Sequence, residues 1–168
     1  MPDDGRRYEV VRGELLVTPA PGGRHQPMVT RLLVVLLRYL EGHGLAEQLL
    51  TPPADITLSR DTLVQPDLLV ADTSTFIRSG NWIDVTTLFL AVEVTSPSSA
   101  RADRVLKRPA YQQHGTREYW IVDSDHRQVE VWTPDAQSPL LKRERLVWHH
   151  PALDDTCVID LVKLFDFG

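Results

Sequence analysis

Two short segments of the chain are apolar at nearly every position, and each of them carries one acidic residue. The first is DLLVA at residues 67–71, and the second is LFLAVEV at residues 88–94. Strands of this composition are typical of a sheet that is covered on both faces. A carboxylate without a partner in such a place is destabilising or takes up a proton. Asp67 and Glu93 therefore need partners, which other parts of the chain have to supply.

Strand alternation predicts that the two acids lie close together. It places Asp67 on the same face of its strand as Leu69, and Glu93 on the same face as Ala91. If the strands are neighbours and these faces match, the carboxylates meet at one end of the sheet. Two close carboxylates share a proton or bind a cation. Mg²⁺ typically takes one or two carboxylates and fills its other positions with water and phosphate oxygens.

The remaining segments predict a mixed α/β fold. We expect an N-terminal β-hairpin at residues 8–17 that turns at Arg12 and Gly13, and a helix from His25 to about residue 42. A second helix should extend from about residue 98 to His114, with a kink at Pro109. Further strands are predicted at residues 46–50, 54–58, 65–71, 88–95, 118–123 and 128–132, and residues 144–149 and 156–161 could extend the sheet. Residues 72–87 should be irregular or hold one short helix. The expected fold is a single domain over residues 1–168, in which helices flank a mixed β-sheet.

Composition narrows the class of protein. The longest aliphatic run, residues 32–37, is far shorter than the ~20 residues that a membrane-spanning helix needs. The first residues do not have the pattern of a secretory signal, and the single cysteine, Cys157, excludes a disulfide framework. We therefore expect a cytoplasmic protein with no membrane segment. The net charge of −5 argues against a general coat for nucleic acid, although residues 101–108 and 142–145 are locally basic. By charge alone, both basic segments are solvated faces.

The second helix offers a cation for the two acids. Asp103, Lys107 and Tyr111 are spaced by four residues and line one stripe of this helix. Lys107 lies at the border of the apolar stripe, where its side chain could hold an ammonium group near the acids. Such a group beside metal-bound water helps to deprotonate the water and stabilises charge on a phosphate. The apolar stripe, which we expect to face the sheet, consists of Ala102, Val105, Leu106 and Ala110.

The order of these motifs resembles that of a known family. QPD at residues 65–67, VEVTSPS at 92–98, the D…K…Y…G pattern of the second helix and REYWIVD at 117–123 are similar to the Uma-two family of restriction endonucleases, within the PD-(D/E)xK nuclease superfamily. The resemblance extends from about residue 8 to residue 132, and it includes RGE at residues 12–14 and His25. It implies a restriction-endonuclease-like core and a Mg²⁺- or Mn²⁺-dependent endonuclease that hydrolyses phosphodiester bonds of DNA.

The same resemblance implies roles for individual residues. Asp67 and Glu93 would bind the metal and take part in catalysis, with the backbone carbonyl of Val94 as an additional ligand. The position that usually holds the superfamily's lysine is Thr95 here, so Lys107 would be the relocated catalytic lysine. Glu14 and His25 are additional candidates for the site, as a further ligand and as a contact to substrate or metal-bound water.

Simpler interpretations of these residues stay open. Asp67 could cap a turn, Glu93 could form a buried salt bridge to Arg101 or Lys107, and His25 could anchor the loop before its helix. Glu14 could face solvent or pair with an arginine. A catalytically silent module that binds nucleic acid or protein on a nuclease fold is therefore the alternative function, and a hydrolase of another phosphate ester is a third. Cutting of both DNA strands at once would favour a homodimer, since a two-fold axis places equivalent sites on an antiparallel duplex.

Overall fold

The structure, a computed structural model, describes residues 6–18, 23–81 and 84–167. Twelve strands and four α-helices are assigned within these ranges. In chain order they are β1 (Arg7–Val11), β2 (Glu14–Thr18), α1 (His25–Gly42), β3 (Leu49–Leu50), β4 (Ile56–Ser59), β5 (Thr62–Val64), β6 (Leu68–Ala71), α2 (Ser74–Ser79), β7 (Leu88–Thr95), α3 (Arg108–His114), β8 (Glu118–Asp123), β9 (Gln128–Trp132), β10 (Leu140–Lys142), β11 (Arg145–Trp148), β12 (Cys157–Asp160) and α4 (Leu161–Leu164).

A six-stranded mixed sheet lies at the centre, in the order β10-β9-β8-β7-β6-β3. Strands β7 and β8 are parallel, and the other neighbours in this sheet are antiparallel. A second sheet has the order β2-β1-β5-β4 and contains the N-terminal hairpin, which turns at Arg12 and Gly13 with positive φ at both residues. The mixed α/β fold with an N-terminal hairpin, expected from the sequence, is confirmed.

The central sheet is covered on both faces, which explains the continuous apolar composition of β6 and β7. On one face, α1 buries the side chains of Met28, Leu32, Leu36 and Leu40, spaced by four residues, against the sheet. On the other face, α3 and the second sheet pack through a separate apolar cluster that includes Ala110 and Tyr111. Although α1 is 18 residues long, no helix in the described ranges has both the length and the apolar character needed to cross a membrane.

The second helix differs from the prediction in both shape and orientation. A π-helical segment, Ala102–Lys107, precedes α3, and Pro109 lies in the first turn of α3. The expected apolar face is confirmed only in part: Ala110 is buried and Leu106 packs against the core, but Val105 is 52% exposed, whereas Asp103 and Lys107 are buried. The helix turns this polar stripe inward because Lys107 meets carboxylates from both sheets there.

Two predictions at the edges of the sheet also differ from the structure. Strands β11 and β12 pair with each other as a separate two-stranded sheet and do not extend the central one. Residues 46–50 form a 3-10 turn followed by the short strand β3, so most of that predicted strand is absent.

A short helix, α2, lies within residues 72–87, which agrees with the prediction that this segment is irregular or holds one short helix.

Candidate functional site

The pairing of β6 with β7 places Asp67 beside Glu93. Leu68 lies opposite Val92 in this antiparallel pair, so the preceding residue, Asp67, faces Glu93 across the strands. The N–H group of Asp67 donates a hydrogen bond to the carbonyl of Val92 at 3.0 Å. Both acids are only 2% exposed. The structure therefore brings together the two carboxylates that strand alternation had matched.

Three donors surround the Asp67 carboxylate. Arg7 donates to Oδ1 at 2.7 Å, while Oδ2 lies 2.9 Å from Nε2 of His25 and accepts the N–H of Val94 at 2.8 Å. Burial alone would raise the pKa of Asp67, but the hydrogen bond from His25 and the charge of Arg7 outweigh it and lower that pKa below its usual range. Val94 contacts the site through its N–H group, a different group from the carbonyl that the resemblance suggested as a ligand.

Lys107 is held by three carboxylates. Its Nζ lies 2.6 Å from Glu9, 3.1 Å from Glu93 and 3.4 Å from Asp103. Burial opposes a charge on Lys107, but these acids outweigh it, so the pKa of the ammonium group lies above its usual range. Lys107 therefore stays charged while almost completely buried. The salt bridge from Glu93 to Lys107, one of the simpler interpretations of the sequence, is present.

The Glu93 carboxyl is perturbed in the opposite direction to Asp67. Burial raises its pKa well above the usual range, and the charge of Lys107 opposes this shift without cancelling it. The neighbouring carboxylates of Asp67 and Glu9 add to the shift. Glu93 consequently keeps a proton over a wider pH range than an ordinary glutamate, whereas Asp67 stays ionised.

Sequence reasoning missed two residues of the site, Arg7 and Glu9, both on β1. Glu9 is fully buried, and its Oε1 accepts the N–H of Gln65 at 2.8 Å while its Oε2 faces Lys107. Alternation along β1 puts Glu9 on the same face as Val11, which belongs to the core, and this was the signal that could have identified it. Glu14, the acid of the hairpin that the resemblance had favoured, is exposed and begins β2 at the turn end of the hairpin.

A cavity of about 670 Å³ opens onto these groups. Asp67, Glu93 and Lys107 line it, together with His25, Arg7 and the Ser96–Ser99 turn that precedes the second helix. The cavity therefore gives a ligand access to the paired acids.

The donor set suits a hard dication. Four carboxylates, those of Glu9, Asp67, Glu93 and Asp103, are clustered around two permanent cations, Arg7 and Lys107. Full ionisation would thus leave two negative charges uncompensated, which one Mg²⁺ or Mn²⁺ ion would balance. Within the described ranges, no group of three or more His, Cys, Asp or Glu side chains is arranged to hold a metal ion by itself. The pair of Asp67 and Glu93 therefore suits an ion that binds two carboxylates and completes its coordination with water and phosphate oxygens.

Comparisons with known proteins identify a family and support the fold. A family model, Uma2, described as "Putative restriction endonuclease", matches residues 1–159. Among solved structures, "a putative nuclease belonging to DUF820 from Anabaena variabilis ATCC 29413" superposes with a TM-score of 0.76 and 20% sequence identity. The alignment covers 98% of this chain and 93% of that one, and at this identity it shows a shared fold. No curated protein sequence matches the chain.

Proposed function

Since the chain belongs to the Uma2 family, whose description is "Putative restriction endonuclease", we propose that it is a Mg²⁺- or Mn²⁺-dependent endonuclease that hydrolyses phosphodiester bonds of DNA. The observation that carries this proposal is the pair of buried carboxylates, Asp67 and Glu93, directly opposite each other across β6 and β7 and open to a cavity. The cluster around this pair holds four carboxylates and two cations, and a dication would supply the missing positive charge.

Asp67 and Glu93 would hold the metal ion in this proposal. When bound, such an ion polarises a phosphodiester and lowers the pKa of an attacking water. His25 keeps Asp67 oriented through its 2.9 Å contact with Oδ2, and the N–H of Val94 fixes the same oxygen from the backbone. These two contacts leave Oδ1 as the oxygen of Asp67 that is available to an exchangeable ligand.

Lys107 would stabilise the negative charge that develops on the phosphate during hydrolysis. Its ammonium group lines the cavity and remains protonated because of its three carboxylate neighbours. A preorganised charge in a buried position acts more strongly than one in water. This assignment gives Lys107 the role of the superfamily's lysine, whose usual position is occupied here by Thr95.

DNA would bind with the help of the metal. The net charge of −5 repels a polyanion, and the described site itself contains more acids than bases. A dication held by Asp67 and Glu93 would compensate this negative charge and would favour the binding of a phosphate beside them. We therefore expect weak DNA binding in the absence of divalent ions.

The alternative, a catalytically silent binding module, is favoured by one observation. Lys107 is fixed by three acids and Arg7 contacts Asp67, so each acid already has a cationic partner. In that case the cluster would serve stability alone, and neither metal binding nor hydrolysis would follow.

Nicking of supercoiled plasmid with Mg²⁺ or Mn²⁺ tests the proposal. The variants are Asp67→Asn and Glu93→Gln, and Glu41→Gln is the matched control because Glu41 is an exposed acid on α1. We expect metal-dependent nicking by the native protein and the control, and at least a hundredfold loss in the two site variants. Absence of cutting on several forms of DNA would favour the binding module. Turnover of a mononucleotide without cutting of DNA would indicate a hydrolase of another phosphate ester.

A further inference from the structure

Arg7 bridges the two acids from the N-terminal strand. Its Nη2 lies 2.7 Å from Oδ1 of Asp67, and its Nη1 lies 3.7 Å from Oε2 of Glu93. One guanidinium group therefore faces both carboxylates at once, on the side that lines the cavity.

Each acid divides its two oxygens between a fixed partner and Arg7. In Asp67, Oδ2 binds His25 and the N–H of Val94, while Oδ1 faces Arg7. In Glu93, Oε1 binds Lys107, while Oε2 faces Arg7. Arg7 therefore contacts Oδ1 of Asp67 and Oε2 of Glu93. The fixed partners of the two acids bind the other oxygen of each, which leaves these two for a cation.

Arg7 is also the more exposed of the two cations. Its side chain is 22% exposed, compared with 4% for Lys107. Both cations line the cavity, but Lys107 forms ion pairs with three acids and Arg7 with two. A guanidinium group and a dication repel each other, so both cannot occupy the same pair of oxygens.

We propose that Arg7 is an exchangeable cation that bridges Asp67 and Glu93 in the metal-free protein and contacts a phosphate of the DNA substrate once metal has replaced it. This inference rests on the proposed metal-dependent nuclease function. The planar guanidinium fork matches two phosphate oxygens as well as it matches carboxylates. Metal and DNA then favour the same position of Arg7, so each increases the affinity of the site for the other by the same factor.

Mn²⁺ affinity, measured by isothermal titration calorimetry, tests the exchange without reference to activity. The variants are Arg7→Gln, which removes the competing charge, and Arg7→Lys, which keeps a charge without the fork. Arg60→Gln is the matched control, because Arg60 is exposed at the turn between β4 and β5 and does not line the cavity. In the absence of DNA we expect Arg7→Gln to bind Mn²⁺ at least tenfold more tightly than the native protein, and Arg60→Gln to match the native protein.

The second arm repeats the titration with a short phosphorothioate duplex present, since this linkage slows hydrolysis. DNA should tighten Mn²⁺ binding at least tenfold in the native protein and by a smaller factor in Arg7→Lys and Arg7→Gln, where only the direct attraction between metal and phosphate would remain. Thermal unfolding of each variant establishes that it is folded.

The outcomes separate this inference from the proposed function. If the native protein binds Mn²⁺ and Arg7→Gln binds it equally or more weakly, Arg7 is a structural partner of the acids and the exchange is overturned, while the metal site remains. If Arg7→Gln binds Mn²⁺ and the native protein does not, the competition is supported in its strongest form. If neither protein binds Mn²⁺, both the exchange and the proposed metal-dependent function are overturned.

Discussion

At the scale of single residues, the two acids of the site differ because their partners differ. Asp67 receives donors from Arg7, His25 and a backbone N–H group, and its pKa is lowered. Burial raises the pKa of Glu93, and the charge of Lys107, which Glu93 shares with two other carboxylates, does not cancel this shift. Neighbouring carboxyl groups with opposite shifts divide the roles of ionised ligand and proton carrier between them. Asp67 is thus ready to bind a cation, whereas Glu93 first has to lose its proton.

This difference predicts that Mn²⁺ binding releases a proton from Glu93. Below the raised pKa of Glu93 the metal competes with a proton, so the affinity should increase by up to about tenfold per pH unit and level off above that pKa. Calorimetric titrations in two buffers of different ionisation enthalpy measure the proton directly. Glu41→Gln should release the same number of protons as the native protein, and Glu93→Gln should release fewer. Proton release by the native protein that equals that of Glu93→Gln would contradict the assignment.

The elements of the fold determine which parts of the site can be predicted from sequence. Alternation within β6 and β7 is a local property, so the meeting of Asp67 and Glu93 follows once the strands are neighbours. Alternation along β1 could have marked Glu9 as buried, but its contact with Lys107 depends on how the hairpin packs against the distant second helix, which no local pattern encodes. The orientation of that helix could not be predicted either, because the rule that apolar residues face the sheet fails where buried acids hold Lys107.

The N-terminal hairpin gives a matched pair of variants at the scale of one element. Glu9→Gln removes a buried acid from Lys107, and we expect a loss of about 1–3 kcal/mol in the free energy of unfolding, since Glu93 and Asp103 still compensate the ammonium group. Glu14→Gln changes an exposed acid at the turn end of the same hairpin and should stay within about 0.5 kcal/mol. Urea unfolding measures both values. Plasmid nicking by the two variants should follow the same order, because Glu9 positions Lys107.

An equal effect of the two hairpin variants would contradict this account. A large loss of nicking in Glu14→Gln alone would restore Glu14 as the additional site residue that the family resemblance suggested. A loss of stability in Glu9→Gln with unchanged nicking would limit Glu9 to a structural role.

At the scale of the whole molecule, the site exists only in the folded chain. Its charged groups come from β1, α1, the residue before β6, the second half of β7 and the π-helical segment, so they are widely separated in sequence. The unfolded chain cannot assemble them, and an ion that binds here binds the native state alone. The free energy of metal binding is therefore added in full to the stability of the fold.

This linkage predicts a rise in melting temperature with Mn²⁺. At a free ion concentration one hundred times the Kd from calorimetry, the stabilisation is about 2.7 kcal/mol. A domain of this size gains about 2–4 °C per kcal/mol, which gives a shift of about 5–10 °C. Differential scanning calorimetry with Mn²⁺ and with a chelator measures it. Asp67→Asn should lose the shift, and Glu41→Gln should keep it. An equal shift in Asp67→Asn would locate the bound ion elsewhere on the molecule and leave the buried acids paired only with Arg7 and Lys107.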